Sequence, residues 1–99
     1  MAIAYIQEYR DVAVDSKGRS LGIPMIGDST KHQIVTFTTT TASLAFQKNT
    51  RFIRVLSDTA CHYDVGFNPV AVTASNPKMA ANVYEYFGVL PGDKIAFVT

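Results

Sequence analysis

Apolar and polar residues alternate over short stretches of this chain, with the period of two that is typical of a β-strand with one buried face. In residues 61–67, apolar side chains occupy the odd positions, and polar residues or glycine occupy the even ones. Runs rich in Val, Ile, Thr, Phe and Tyr predict further strands at residues 3–9, 12–14, 21–26, 34–38, 44–46, 52–56, 70–73, 83–89 and 95–98. The only helical pattern, at residues 77–82, predicts one turn at most.

Turn-forming residues separate these runs. Asp15-Ser16-Lys17-Gly18 predicts a hairpin turn, and Pro91-Gly92-Asp93 predicts a tight reversal in which Gly92 takes a positive φ. Short strands with frequent turns predict an all-β chain, either an antiparallel sandwich or a small barrel. We expect one domain over residues 1–99: an antiparallel β-sandwich of about eight short strands, with jelly-roll topology as one option.

Charge is scarce in this sequence. The 99 residues include 9 Lys+Arg and 8 Asp+Glu, so the formal net charge is +1, and charged residues make up only 17%. Since an ordinary soluble domain carries ~25% charged residues, we expect a partner to cover part of the surface. The near-neutral balance argues against nucleic acid as that partner, and the lack of a long apolar run argues against a membrane span. Cys61 is the only cysteine, which excludes a disulfide within one chain, and no secretory signal precedes the first strand.

Candidate catalytic and metal-binding groups are few. Cys61 beside His62 has the composition of a nucleophile and its base, but neighbouring side chains on a strand point to opposite faces. His62 and Asp64 share one face near Asp58, yet a third well-placed ligand is missing. We therefore assign no catalytic residue, no cofactor and no metal, and do not expect an enzyme.

Two polar patterns have both an ordinary and a functional interpretation. Lys48, Arg51 and Arg54 lie around Phe52, an arrangement that binds single-stranded nucleic acid in some barrels but also suits salt-bridged residues at a sheet edge. The threonines of residues 36–41 predict either a hydroxylated solvent face or a surface that packs against another chain. The scatter of the other basic residues favours the edge interpretation for the first pattern.

Aromatic residues make up 11% of the chain, and several recur at a spacing of two. Tyrosine suits contact surfaces because it supplies amphipathic area at a low entropic cost. Tyrosines near the two ends of the sequence, together with Ile3, form the candidate interface with another protein chain, namely Ile3, Tyr5, Tyr9, Tyr84 and Tyr86. The alternative is that these side chains belong to an internal core.

The later half of the chain resembles the short β-sandwich proteins encoded among the virion genes of tailed bacteriophages. The resemblance covers residues 50 to 98 and rests on the order and spacing of these segments: Arg51-Phe52-Ile53-Arg54-Val55, Ala60-Cys61-His62-Tyr63-Asp64-Val65-Gly66, Pro69, Ala71, Met79-Ala80, Glu85-Tyr86-Phe87-Gly88-Val89 and Pro91-Gly92-Asp93-Lys94-Ile95-Ala96.

The resemblance implies a non-enzymatic virion component assembled in the host bacterial cytoplasm, in particular a head decoration or cement protein. It implies the major capsid protein and copies of the chain itself, as a trimer, as partners. The alternatives are a structural component of the tail, baseplate or neck, and a small carbohydrate-binding module. For the decoration function, we expect the apolar start of the chain, Ala2 to Tyr9, to add as a strand to a neighbour's sheet edge.

Overall fold

A computed structural model describes residues 2–10, 12–14, 16–24 and 31–99, and in these residues the chain forms strands and no helix. The strands, numbered in chain order, are β1 (Ala2–Tyr9), β2 (Val12–Val14), β3 (Ser20–Pro24), β4 (Lys31–Phe37), β5 (Thr41–Ala42), β6 (Phe52–Ser57), β7 (Cys61–Gly66), β8 (Lys78–Met79), β9 (Glu85–Gly88) and β10 (Lys94–Val98). The predicted all-β class is confirmed.

Eight of these strands form two four-stranded antiparallel sheets. The first sheet has the order β4-β1-β6-β9 and the second has the order β5-β10-β7-β8. The two sheets pack face to face, because their inward side chains form one buried cluster that includes Ile6, Ile53, Met79, Ile95 and Phe97. The rings of Phe37 and Phe97, one from each sheet, stack with centroids 5.2 Å apart. The expected sandwich of about eight short strands is therefore what the chain forms.

The strand order is that of a jelly roll in which the eighth strand comes first in the sequence. If β4 is counted as the first strand, β10 is the seventh, and β1 takes the eighth place. In this numbering the strand order is 1-8-3-6 in the first sheet and 2-7-4-5 in the second, which is the order of a jelly roll. The first and last described residues, Ala2 and Thr99, lie close together beside the end of β4. Ala2 pairs with Phe37, and the Thr99 N–H donates to the Thr38 carbonyl.

β1 is an interior strand of its sheet. It pairs with β4 along one edge, from Ala2↔Phe37 onward, and with β6 along the other, from Ala4↔Ser57 onward. Its backbone groups are therefore used within the chain. The expectation that Ala2 to Tyr9 adds to a neighbour's sheet edge is wrong, because a strand with both edges paired has no hydrogen-bonding edge to offer.

Both predicted reversals are present. β2 and β3 pair as an antiparallel hairpin, and Gly18 in the connection has a φ of 80°; Asp15, the first residue of the predicted turn, lies outside the described residues. At the second reversal, Gly92 has a φ of 84° and the Asp93 N–H donates to the Leu90 carbonyl over 3.1 Å. This turn carries the chain from β9 in the first sheet to β10 in the second.

Three local predictions differ from the structure. Residues 70–73 form no strand. This segment lies over the side of the second sheet that faces away from the core. There the Asp64 carboxylate accepts the Val70 N–H, and the Thr40 hydroxyl accepts the Ala71 N–H. The predicted strand at residues 44–46 does not form; β5 lies before it and ends at Ala42. Residues 77–82 contain β8 instead of a helical turn. Residues 25 and 26, the end of another predicted strand, lie outside the described part of the chain.

No helix among the described residues has the length and hydropathy to cross a membrane.

Candidate docking surface

The outer face of the first sheet carries a continuous group of large side chains. Register brings them together, since Tyr5 lies opposite Ile34 on one side and Leu56 on the other, and Arg54 lies opposite Tyr86. Residues directly opposite each other in antiparallel strands present their side chains on the same face. We call this group the outer face; its members are Ile3, Tyr5, Gln7, Tyr9, His32, Ile34, Thr36, Phe52, Arg54, Leu56, Tyr84 and Tyr86.

Arg54 lies at the centre of the outer face, between tyrosine rings. Its guanidinium carbon is 4.5 Å from the centroid of the Tyr84 ring and 6.0 Å from that of Tyr9. At these distances the cation interacts with the electron-rich ring faces. The Tyr9 ring also stacks on Phe52 at 5.1 Å. Burial raises the pKa of the Tyr9 hydroxyl, and the charge of Arg54 opposes that rise. Arg54 thus contacts the faces of two aromatic rings.

All five candidate interface residues lie on the outer face, although the sequence places them more than 70 residues apart at the extremes. Tyr5, Tyr84 and Tyr86 are 45%, 55% and 53% exposed, so their rings are open to a partner. Ile3 is half-buried. Tyr9 is 1% exposed, so its ring is covered and contributes almost no accessible area.

A groove with a volume of about 360 Å³ runs across the outer face. Tyr5, Ile34, Leu56 and Tyr84 supply most of its apolar lining, while His32, Gln7 and Arg54 add polar groups. The groove is shallow and lies over the sheet, so it suits inserted side chains of a partner more than an enclosed substrate.

The candidate nucleophile and its base are separated as the strand alternation requires. Cys61 faces the core and is buried, whereas His62 and Asp64 face the opposite side of the second sheet. Burial raises the pKa of the Cys61 thiol, and a hydrogen bond with Ser57 opposes the rise to a lesser degree. A thiol with a raised pKa is a poor nucleophile. Cys61 is therefore a core side chain.

The acidic side chains near His62 accept hydrogen bonds from backbone N–H groups. Asp64 accepts the Val70 N–H, and Asp58 accepts the Ile3 N–H over 2.9 Å and the Thr59 hydroxyl. The bond from Ile3 is the largest cause of the lowered pKa of the Asp58 carboxyl. Among the described residues, no three His, Cys, Asp or Glu side chains come together as metal ligands. His62 Nδ1 is buried without a hydrogen-bond partner.

The basic residues do not form one stripe. Arg54 lies on the outer face of β6, whereas Arg51 precedes that strand at a position of the opposite parity, and Lys48 lies in the loop before it. The threonines do come together in part: Thr36, Thr38, Thr39 and Thr41 line one depression of about 230 Å³ beside Phe37. The Thr41 hydroxyl donates to the Thr39 carbonyl, and the Thr40 hydroxyl accepts the Ala71 N–H. The basic pattern therefore forms no continuous surface, whereas four of the threonines share one.

The candidate interface of the sequence analysis contains five of the twelve members of the outer face and lacks the other seven, namely Gln7, His32, Ile34, Thr36, Phe52, Arg54 and Leu56. Of these, Ile34 and Leu56 belong to apolar runs of predicted strands, and the sequence favours the interpretation of Arg54 as a salt-bridged cation at a sheet edge. The available signal was their shared even-numbered parity with His32, Thr36 and Phe52 on their own strands. Parity alone, however, does not say which face of a strand is the inner one.

No family model, curated protein or solved structure matches this chain. The geometry of the outer face and the pattern of the sequence are therefore the observations that bear on function.

Proposed function

We propose that this protein is a non-enzymatic structural component of a tailed-bacteriophage virion, a decoration protein that binds the major capsid protein through the outer face. The observation that carries the proposal is the outer face itself: exposed tyrosines and aliphatic side chains gathered on one sheet around a single arginine. Tyrosine and arginine are enriched at the centres of protein interfaces, where charged residues in general are depleted.

The size of the outer face fits a contact that works in many copies. Four strands about 4.8 Å apart, with about six residues each at a rise of about 3.4 Å, cover about 400 Å². That is the area of the largest apolar patch on a typical monomer, and about half of what one partner buries in a stable complex. A single copy thus binds weakly. Attachment of many copies, or of linked copies, to a symmetric shell raises the effective affinity without new contacts.

The sequence pattern supports the same function. Residues 50–98 resemble small virion sandwiches, and they include β6 and β9, which carry Arg54 and Tyr86 on the outer face. Low charge also suits a protein whose partner covers one side. The contacts of Arg54 with the faces of Tyr84 and Tyr9 resemble those of an arginine at the centre of a protein interface.

The first test is a count of copies in purified virions by quantitative mass spectrometry, relative to the major capsid protein. A ratio near one, or a simple fraction of it, supports a decoration protein. A few copies per particle would instead assign the chain to the neck, baseplate or tail. Its absence from virions contradicts the proposal.

The second test locates the binding surface. Capsids that lack the protein are mixed with the chain carrying Tyr84→Ser and Tyr86→Ser together, and binding is measured by co-sedimentation. Loss of two exposed interface tyrosines is expected to raise the apparent Kd about tenfold or more.

The matched control carries Phe67→Ser and Val70→Ser, which remove two exposed apolar side chains from the segment that covers the second sheet. This control is expected to bind as the unaltered protein does. Equal loss in both variants, or no loss in either, contradicts docking through the outer face.

A titration of tyrosine fluorescence with common glycans is expected to stay flat; a saturating change would favour the carbohydrate-binding alternative.

A further inference from the structure

β4 forms an open edge of the first sheet. Within the part of the chain that the structure describes, β1 pairs with one side of β4 and no strand pairs with the other. β4 is also the longest of the edge strands, with seven residues, compared with four in β9 and two each in β5 and β8. A long open edge is a template for another strand.

The backbone groups that face outward can be assigned from the hydrogen bonds on the far side of β1. The Asp58 N–H donates to the Ile3 carbonyl, so the odd residues of β1 direct their backbone groups toward β6. The even residues of β1 must then bond to β4, where they lie opposite Gln33, Val35 and Phe37. The backbone N–H and C=O groups of His32, Ile34 and Thr36 therefore point away from the sheet.

β4 has little of the ordinary protection of an edge strand. Monomeric proteins guard such edges with lysine, proline, inward-pointing charges or bulges. The one lysine of β4, Lys31, lies at its first position; residues 32–37 contain no lysine, arginine, aspartate, glutamate or proline, and the register with β1 runs without a shift. A groove of about 410 Å³ along β4, between it and the segment 41–44, leaves room beside the edge.

We propose that β4 pairs with β4 of a second copy of this chain, in antiparallel orientation, about a two-fold axis at Ile34. The three outward-facing residues are symmetric about that position, so each finds a partner: Ile34 opposite Ile34, and His32 opposite Thr36 in both directions. Each pair exchanges two backbone hydrogen bonds. No like charges meet, because in this register His32 lies opposite a threonine and Lys31 lies opposite Phe37.

This pairing joins the two first sheets into one sheet of eight strands. The outer faces become continuous, since Tyr5 lies beside Ile34 in each copy and the two isoleucines meet at the axis. Ile34 is 59% exposed in the single chain, so the pairing also covers an apolar side chain that otherwise faces water. The contact is isologous, since the same edge of β4 is used in both copies. One partner occupies the whole edge, so the pairing predicts a dimer in solution and not a three-fold ring.

The test is the oligomeric state of the full chain by sedimentation velocity, over a range of concentrations. The unaltered protein is expected to dimerise. Ile34→Pro removes an outward N–H without touching the bonds to β1, and edge positions tolerate proline for this reason. It is expected to raise the dimer Kd about tenfold or more, with the fold unchanged by circular dichroism.

A charge pair tests the register and keeps the proposal testable if the proline variant does not fold. Ile34→Lys and Ile34→Asp place like charges at the axis, so each variant alone is expected to be monomeric, while an equal mixture dimerises. The matched control is Val70→Lys and Val70→Asp: Val70 is 58% exposed on the other side of the sandwich, and these variants are expected to remain dimeric.

Four results would overturn the proposal: a monomer at every concentration, a trimer, a dimer unaffected by the Ile34 substitutions, or a charge mixture that stays monomeric. Hydrogen exchange gives an independent readout. The amides of His32, Ile34 and Thr36 are expected to become protected as the concentration rises, whereas those of Gln33 and Val35 are protected throughout. None of these results depends on binding to a capsid.

Discussion

At the scale of the residue, Glu8 is the least expected side chain in the protein. It is fully buried, and its carboxylate accepts hydrogen bonds from the Thr50 hydroxyl over 2.7 Å, the Gln47 N–H over 2.8 Å and the Gln33 side-chain amide over 3.2 Å. Gln33 in turn holds both backbone groups of Leu44. One carboxylate thus fixes the loop between β5 and β6 against the first sheet.

We expect Glu8→Gln to destabilise the fold by about 1–3 kcal/mol, because an amide replaces one accepting oxygen by a donor that faces the donor of Gln33. Urea unfolding followed by tyrosine fluorescence measures the change in free energy. The matched control is Glu85→Gln, since Glu85 is only half-buried, and it is expected to change the stability much less. Equal effects of the two substitutions would contradict a structural role for the Glu8 carboxylate.

The sequence indicates part of this arrangement. Glu8 shares the even parity of Ala2, Ala4 and Ile6, so a strand from residue 3 to 9 places it on the same face as those residues. Its donors lie about 25 to 42 positions away along the chain. No local pattern connects Glu8 to Thr50, and the interaction exists only because the loop folds back over the sheet.

At the scale of the element, the turn between β9 and β10 determines whether the chain crosses from one sheet to the other. Gly92 occupies the second corner of this turn, with a φ of 84°, and a Cβ atom added there would meet nothing within 4 Å. The requirement for glycine is therefore one of backbone conformation and not of space.

Gly92→Ala is expected to destabilise the protein by about 1–2 kcal/mol, because an L side chain is strained at this φ. Gly88→Ala is the matched control: Gly88 also has open space around a would-be Cβ atom, but its φ is not in the left-handed region. The control is expected to be neutral or slightly stabilising. Thermal unfolding of both variants measures the difference, and similar melting temperatures would show that the positive φ carries no cost.

Strand prediction succeeded where an apolar run pairs with a neighbouring strand and failed at residues 70–73, where the run lies over a sheet. Residues 52–56 and 61–67 became β6 and β7 with boundaries close to those expected. Residues 70–73 have the same β-branched composition, yet their backbone is bonded to side chains of Asp64 and Thr40 instead of a neighbouring strand. Composition reports that a segment is apolar, but not whether it has a strand beside it.

At the scale of the whole molecule, β1 takes the place of the eighth strand of a jelly roll although it precedes the other seven in the sequence. Ala2 and Thr99 lie together beside Phe37 and Thr38, while the sandwich strands β1 and β4 are joined through the separate β2–β3 hairpin. The hairpin adds no strand to either sheet. The sandwich is therefore complete without it.

A rearranged chain tests this conclusion. Residues 31–99, followed by a flexible linker of about six residues and then residues 2–10, place β1 in the eighth position of the jelly roll and omit the hairpin. We expect this chain to fold with β-sheet circular dichroism and a single cooperative unfolding transition. Residues 31–99 alone are the control. They are expected to remain unfolded, because β1 supplies Ala2, Ala4 and Ile6 to the core. Failure of the rearranged chain to fold would mean that the hairpin stabilises the sandwich.

The sequence by itself determined the all-β class, the two main turns and the faces of β7. These follow from local causes: the period of two, the φ preferences of glycine and proline, and the fact that neighbouring side chains on a strand point to opposite sides. It also grouped Tyr5, Tyr84 and Tyr86 as candidate contact residues from their composition and spacing.

Only the tertiary structure decided which strands lie side by side. Strand pairing in turn determines which strand has an open edge and which side chains lie together on a sheet face. β1 reads as a free terminal strand but lies between β4 and β6, so the open edge belongs to β4. Arg54 joins Tyr84 and Tyr86 because β6 pairs with β9 in one particular register. Strand pairing joins residues far apart in the sequence through backbone groups that every residue carries, so no local pattern of side chains can specify it.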